Sequence, residues 1–127
     1  MKYILLFSLL VVMSCSSKNN SKKTSTATKK QENLIAVLDT IWRSEQRPIT
    51  LRDSLMQIYG AESELVKEQQ DIYESNHIIN EQKVKNILDK YGWPTKEMAG
   101  EQGNWTICNV IQHSDNEVRI QYLPIMR

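Results

Sequence analysis

Apolar side chains recur at helical spacing after residue 30. Four of them follow the i, i+4, i+7, i+8 spacing of an amphipathic helix, Leu34, Leu38, Ile41 and Trp42, with Ile35 alongside. Proline fits poorly inside a helix because it has no N–H and its ring clashes with the preceding turn. We therefore expect this first helix to end near Arg47-Pro48.

A second apolar stripe follows the proline. Its members are Leu51, Leu55, Ile58 and Tyr59. Thr50 and Asp53 have the spacing of a capping box, in which side chains at the start of a helix bond to its free N–H groups. Gly60 is a suitable terminator. This pattern predicts a short second helix between Thr50 and Gly60.

Two further helical segments are expected before residue 95. Residues 61–75 are rich in Glu, Gln and Lys, which predicts an exposed helix. A later stripe consists of Val84, Ile87, Leu88 and Tyr91. Asn80-Glu81 is a candidate start for it, Gly92 a left-handed terminator, and Pro94 would prevent continuation. The sequence thus predicts four helical segments up to this point.

The C-terminal third fits two structures. Residues 105–112 and 118–123 are rich in β-branched and aromatic residues around a turn-like 114–117, which favours a β-hairpin. Helical spacing of Val118, Tyr122, Ile125 and Met126, with Asp115 as N-cap, favours a helix. We predict a mainly α, small helical domain, with one short C-terminal β-hairpin as the α+β alternative.

The first fourteen residues have the features of a signal peptide. A Lys2 charge precedes an apolar run, Ile4 to Met13, broken only by Ser8. That run is too short to remain as a membrane span, which needs roughly 20 apolar residues. Residues 12–15, Val-Met-Ser-Cys, resemble a lipobox. We expect cleavage before Cys15 and a lipid on its thiol.

Charge and composition divide the rest of the chain in two. Residues 15–30 carry five lysines, no acid, and many Ser, Thr and Asn, which predicts a disordered basic tether. Residues 31–127 form the domain, with ten Lys and Arg against fifteen Asp and Glu. This acidic balance argues against a nucleic-acid partner. With Cys15 lipidated, Cys108 remains alone and cannot form an internal disulfide.

These features predict where the protein is located in the cell and what it binds. Ser16 and Ser17 lack the acidic signal that retains lipoproteins at the inner membrane, so we expect the outer membrane, facing the periplasm. The expected partners are the membrane, through the lipid on Cys15, and an envelope protein or a cell-wall component. We expect no cofactor. We expect no metal either, because His77 and His113 lie in no ligand pattern.

A family resemblance covers most of residues 34–127. It is carried by Tyr91-Gly92-Trp93-Pro94, Gly100, Gln112-His113, Tyr122-Leu123-Pro124, and upstream by Glu45-Gln46, Arg52-Asp53 and Asn80. These positions resemble an uncharacterised bacterial lipoprotein domain family with a Tyr-Gly-Trp-Pro and Gln-His signature. The resemblance implies a largely helical fold and no assigned activity. Members extend beyond the position of Arg127, so this chain looks C-terminally shortened.

His113 is the strongest candidate for chemistry. Imidazole titrates near neutral pH and serves as general acid or base when a carboxylate orients it. Glu45, brought close by the fold, or the neighbouring Asp115 would provide that carboxylate. The alternative is a histidine that bonds a terminal carbonyl at a helix end.

A second set of residues is suited to binding. Arg47 and Arg52 can hold a carboxylate or phosphate in a fork, with Gln46, Gln112 and Trp93 as further candidates. The alternative for the arginines is a set of salt bridges between helices. For Trp93, and for Trp105, we expect a place in the core or in a turn rather than stacking on a sugar.

Two classes of function follow. The first is a membrane-tethered binding or interaction module of the envelope. The second is a small periplasmic hydrolase that uses His113 with Glu45 or Asp115. The module should expose an apolar patch of several hundred Å², whereas the hydrolase should bring its residues together in an open cleft.

Lipidation can be tested directly. Cys15→Ala removes the thiol that would receive the lipid, so we expect an uncut precursor that incorporates no labelled fatty acid. Cys108→Ala is the matched control and should be processed and labelled normally. Normal labelling of Cys15→Ala would contradict the prediction.

Overall fold

The structure of the protein, a computed structural model, describes residues 21–126, and side chains from residue 33 onward except that of Leu123. Four α-helices follow one another: α1 (Ser21–Tyr59), α2 (Glu64–Tyr91), α3 (Lys96–His113) and α4 (Asn116–Tyr122). A 3-10 turn, Leu123–Ile125, follows α4. The predicted signal peptide and Cys15 lie outside the described residues.

The mainly α prediction is confirmed, and the described residues contain no strand. The segment that also fitted a β-hairpin belongs to α3 and α4. Asp115 caps α4 as expected, because its Oδ1 accepts a hydrogen bond from the Val118 N–H at 3.0 Å. Pro124 lies in the 3-10 turn beyond α4.

Helix α1 continues through Pro48, so the predicted end at Arg47-Pro48 is wrong. The capping box is wrong for the same reason. Within the continuous helix, Thr50 Oγ1 donates to the Gln46 carbonyl at 2.9 Å, and Asp53 accepts from Arg52 at 2.8 Å. Gly60 does end the helix, with a φ of 82°.

Helix α1 also begins early, at Ser21. Residues 21–30 are therefore helical, which differs from the disordered tether predicted for 15–30. Residues 21–47 contain no Pro or Gly, the two residues that oppose a helix most strongly. The first six residues of that tether, 15–20, lie outside the described residues.

Helix α2 is one element, so the predicted start at Asn80-Glu81 is wrong. It begins after Ser63, whose Oγ accepts from the Leu65 N–H, and ends at Gly92, with a φ of 65° as expected. Asn80 lies inside the helix and is only 2% exposed. Its side-chain amide bonds to residues of α1, so Asn80 does not cap the start of a helix.

The core lies where α3 and α4 close over the antiparallel pair formed by α1 and α2, named here the α1–α2 hairpin. It comprises Leu34, Leu38, Ile41, Val84, Ile87, Leu88, Ala99, Ile107, Val110, Ile111, Val118 and Tyr122. Tyr122 fastens α4 to α2, because its hydroxyl donates to Asp89 at 2.9 Å. Burial, together with this bond, raises the pKa of Tyr122 to about 12.

The α1–α2 hairpin is longer than the part that α3 and α4 cover. Beyond Pro48 no residue of α1 is buried, and in the facing half of α2, residues 64–79, Val66 alone is buried. We call residues 49–79 the distal hairpin. Among the described residues, no helix combines the length and the apolar character that a membrane span requires.

Gly103 sets how closely α3 approaches α1. A Cβ at this position would lie 2.8 Å from Leu38 Cδ1 and 3.1 Å from Ala99 Cβ. Leu38 is fully buried, so its side chain has little room to move away.

We therefore expect Gly103→Ala to lower the free energy of unfolding by about 1–2 kcal/mol, because overpacking outweighs the gain in helix propensity. Denaturant unfolding measures it. In a Leu38→Ala background the added methyl has space, and the substitution should become neutral or stabilising. An equal loss in both backgrounds would show that the Leu38 contact is not the cause.

Candidate functional site

The side-chain carboxyl group of Glu45 is completely buried between α1 and α2. Its Oε1 accepts a hydrogen bond from Asn80 Nδ2 at 2.9 Å. Its Oε2 lies 3.2 Å from Nδ1 of His77. Both oxygens thus have a partner on the facing helix, which offsets the cost of removing the group from water.

The backbone at Ser44 is also held by α2. Pro48 has no N–H, so the Ser44 carbonyl lacks its usual helical donor four residues on. Asn76 Nδ2 replaces that donor at 3.0 Å. The Ser44 hydroxyl accepts from Asn80 Nδ2 at 2.8 Å and donates to the Ile41 carbonyl. This substitution explains why α1 can pass through Pro48.

These five residues form the α1–α2 polar cluster: Ser44, Glu45, Asn76, His77 and Asn80. On α2 the participants are separated by one, three and four positions, which places them on one side of the helix. Arg52 adds a further bond between the helices, since its Nη1 donates to Gln70 Oε1 at 2.7 Å.

His77 is the titratable centre of the cluster. The hydrogen bond to Glu45 raises the pKa of His77, and burial opposes this only in part. The Tyr73 ring lies against the imidazole with centroids 5.8 Å apart. Burial raises the pKa of Tyr73, and the Glu45 charge adds to the shift. The other imidazole nitrogen, Nε2, is buried and has no hydrogen-bond partner among the described residues.

A carboxyl group bonded to one imidazole nitrogen is the arrangement that orients a general base. Here Glu45 is sealed and Nε2 of His77 is buried, so no substrate reaches either group in this conformation. The arrangement is suited to fixing how α1 and α2 align, as buried polar contacts do in helical bundles.

The pairing of Glu45 with His113 is wrong, because Glu45 pairs with His77. His113 is exposed at the end of α3, and Asp115 caps α4. His77 was not predicted as the partner because Glu45 lies on another helix, 32 positions away in the sequence. The available signal was the spacing of Asn76, His77 and Asn80, which places them on one helix face.

The predicted binding residues do not form one site. Gln112 is exposed next to His113, and Arg52 bonds to Asp53 and Gln70. Trp93 is partly buried against the core, and its indole N–H donates to Asn104 at 2.9 Å. Trp105 is 64% exposed, so the expectation that it fills the core is wrong.

Gln46 and Arg47 do lie together, in a groove on the outer face of α1 with a volume of about 620 Å³. We call it the α1 groove. It is lined by Trp42, Arg43, Gln46, Arg47, Thr50, Leu51 and Ser54. No acidic residue lines this groove, and its two arginines lie four positions apart along α1.

An apolar stripe runs along the α1–α2 hairpin. Val37 and Asn86 line a common groove between the two helices, to which neither α3 nor α4 contributes a side chain. Toward the distal hairpin, positions at multiples of seven from these two follow the same face, and apart from Ser44 on α1 they are apolar. The stripe comprises Val37, Leu51 and Ile58 on α1 and Leu65, Ile72 and Ile79 on α2, each 37–70% exposed.

Contacts between the helices place these residues at matching heights. Asn80 bonds to Glu45 and Gln70 to Arg52, which sets Leu51 level with Ile72 and Ile58 level with Leu65. The members of the stripe on the two helices of the distal hairpin thus lie level with one another.

A metal centre finds no support in the described residues, which contain no group of three His, Cys, Asp or Glu side chains able to hold an ion. Comparison of the chain with family models, curated proteins and solved structures finds no match. The resemblance to an uncharacterised lipoprotein domain family therefore stays a proposal.

Stability should depend on the charge of His77. Because its pKa is raised in the folded protein, the ionised imidazole stabilises the fold below about pH 6.5, the unfolded value, and this contribution is lost as pH rises through the folded pKa. The wild type should therefore exceed His77→Gln in free energy of unfolding most at low pH, with the difference shrinking as pH rises.

Denaturant titrations at pH values from 5 to 9 would measure this difference, because an imidazole titrates within this range. His113→Gln is the matched control, since that imidazole is exposed and has no hydrogen-bond partner among the described residues. A difference for His77→Gln that grows with pH would contradict the assignment.

The role of Asn76 should depend on Pro48. Asn76→Ala leaves the Ser44 carbonyl without a donor, and we expect a loss of about 1–2 kcal/mol. Pro48→Ala returns an N–H to the helix, so in that background Asn76→Ala should cost clearly less. A double-mutant cycle measures the coupling. Equal costs in both backgrounds would mean that Asn76 does not replace the missing donor.

Proposed function

We propose that this chain is an envelope lipoprotein that acts as a membrane-tethered binding module. In this proposal the lipid on Cys15 holds it at the outer membrane, facing the periplasm, and the α1–α2 hairpin docks another envelope protein or a cell-wall component. The apolar stripe is the observation that carries the proposal.

The stripe is unusual for a surface with no partner. Scattered exposed apolar residues are normal, but contiguous apolar surface beyond a few hundred Å² usually marks an interaction site. Six large apolar side chains of the α1–α2 hairpin are exposed at positions that follow one face. Water contact with them costs free energy that a docked partner would recover.

The length of α1 would hold the apolar stripe away from the membrane. Residues 21–33 alone add about 20 Å of helix before the domain core begins at Leu34. A lipid on Cys15 would lie six positions before Ser21, so α1 would act as a stalk that carries the distal hairpin away from the membrane.

The hydrolase alternative has less support. Its best carboxyl group, Glu45, is sealed and is bonded to His77 and Asn80, while Asp115 is engaged in capping α4. His113 stands alone on the surface, with no partner among the described side chains. No observation favours this alternative over binding.

Site-specific photo-crosslinking in living cells tests the binding module. A photoreactive residue at Ile72, in the stripe, should crosslink one reproducible partner. The same residue at Ile120, which is 70% exposed on α4 and outside the stripe, is the matched control. Equal and diffuse crosslinking from both positions would contradict the proposal.

A further inference from the structure

The α1 groove lies on the face of α1 opposite Pro48. Pro48 is buried on the inner side of the helix, whereas the groove residues lie on the outer side. Two hydroxyls on the outer side bond to the backbone of α1. Thr50 donates to the Gln46 carbonyl and Ser54 to the Thr50 carbonyl, each at 2.9 Å, and such back-bonding often bends helices.

The groove offers hydrogen-bond donors and positive charge without a matching acid. Its side-chain donors are Trp42, Arg43, Gln46 and Arg47, and no Asp or Glu lines it. Arg43 and Arg47 are exposed and have no ion pair among the described residues. The hydroxyl protons of Thr50 and Ser54 already go to the backbone. Such a surface complements carboxylates.

The spacing of the groove matches a helix. Arg43 and Arg47 are four residues apart, or about 6 Å along the axis, which is also the rise between carboxylates at i and i+4 on a partner helix. The lining residues 42–54 span about 18 Å of one helix, so the groove is long and open. Small molecules are usually bound in sites that enclose most of their surface.

We propose that the α1 groove docks an acidic amphipathic helix of a partner protein. Carboxylates four residues apart bind Arg43 and Arg47, and apolar side chains of the same helix pack on Trp42 and Leu51. This inference rests on the proposed binding function and names the chemistry of the partner, since Leu51 belongs both to the groove and to the apolar stripe.

A lipid headgroup is the less favoured source of anionic charge. The groove begins 21 residues after Ser21 along the same helix, or about 30 Å from its start. In a chain held at its N-terminal end by a lipid, that distance carries the arginines away from the bilayer surface.

Fluorescence anisotropy with the whole chain in detergent micelles tests this proposal. The probe is a labelled helical peptide with Glu at every fourth position and Leu on the adjoining face, and its twin carries Gln in place of Glu. We expect the Glu peptide to bind at least about tenfold tighter than its twin. Arg43→Gln together with Arg47→Gln should weaken binding by at least about tenfold.

Arg119→Gln is the matched control, because it removes an exposed guanidinium from α4, outside the groove, and it should leave binding unchanged. Unchanged helicity by circular dichroism would show that the groove variants remain folded. Equal binding of the two peptides, or no effect of the double substitution, would overturn the inference.

Competition by small anions is the last part of the test. Inorganic phosphate and glycerol phosphate should displace the Glu peptide no better than sodium chloride at equal ionic strength. Stronger displacement would make the groove a small-anion site and overturn the helix assignment. If the peptide fails to bind while Ile72 still crosslinks a partner in cells, the binding module stands and this inference alone falls.

Discussion

The structure depends on one buried group, the side-chain carboxyl of Glu45. A carboxyl group removed from water is destabilising unless donors surround it, and α1 alone cannot supply them. Asn80 and His77 do so from α2. The same stretch of α2 supplies Asn76 to the Ser44 carbonyl that Pro48 leaves without a donor. A slip of α2 along α1 would break all of these contacts together, so the polar cluster sets the alignment of the hairpin.

That alignment has consequences for the surface. Because α1 continues through Pro48, the hairpin extends beyond the part that α3 and α4 cover, and its apolar residues stay in contact with water. The α1 groove lies on the outer side of the same helix, opposite the buried Pro48. The contacts that stabilise the inner side of α1 therefore also determine the two surfaces that we assign to binding.

Local pattern was sufficient for part of this fold. The apolar stripes that include Leu38 and Val84 form the core, and Gly60 and Gly92 end helices, because burial and left-handed backbone are properties of a residue and its neighbours. Pro48 misled the prediction because the donor that rescues the helix, Asn76, binds a carbonyl 32 positions away in the sequence. The partner of Glu45 was mispredicted for the same reason, because it is distant in the sequence. Sequence alone suggested His113, whereas tertiary packing places His77 next to Glu45.

The claim that the polar cluster sets the alignment can be tested by distance measurement between spin labels. Labels at the exposed residues Thr40 and Gln82 would report how α2 lies along α1. The account predicts one narrow distance distribution for the wild type, and a broadened or shifted one when Glu45, His77 and Asn80 are all replaced by Leu, even if stability is retained. An unchanged narrow distribution in that variant would contradict the account.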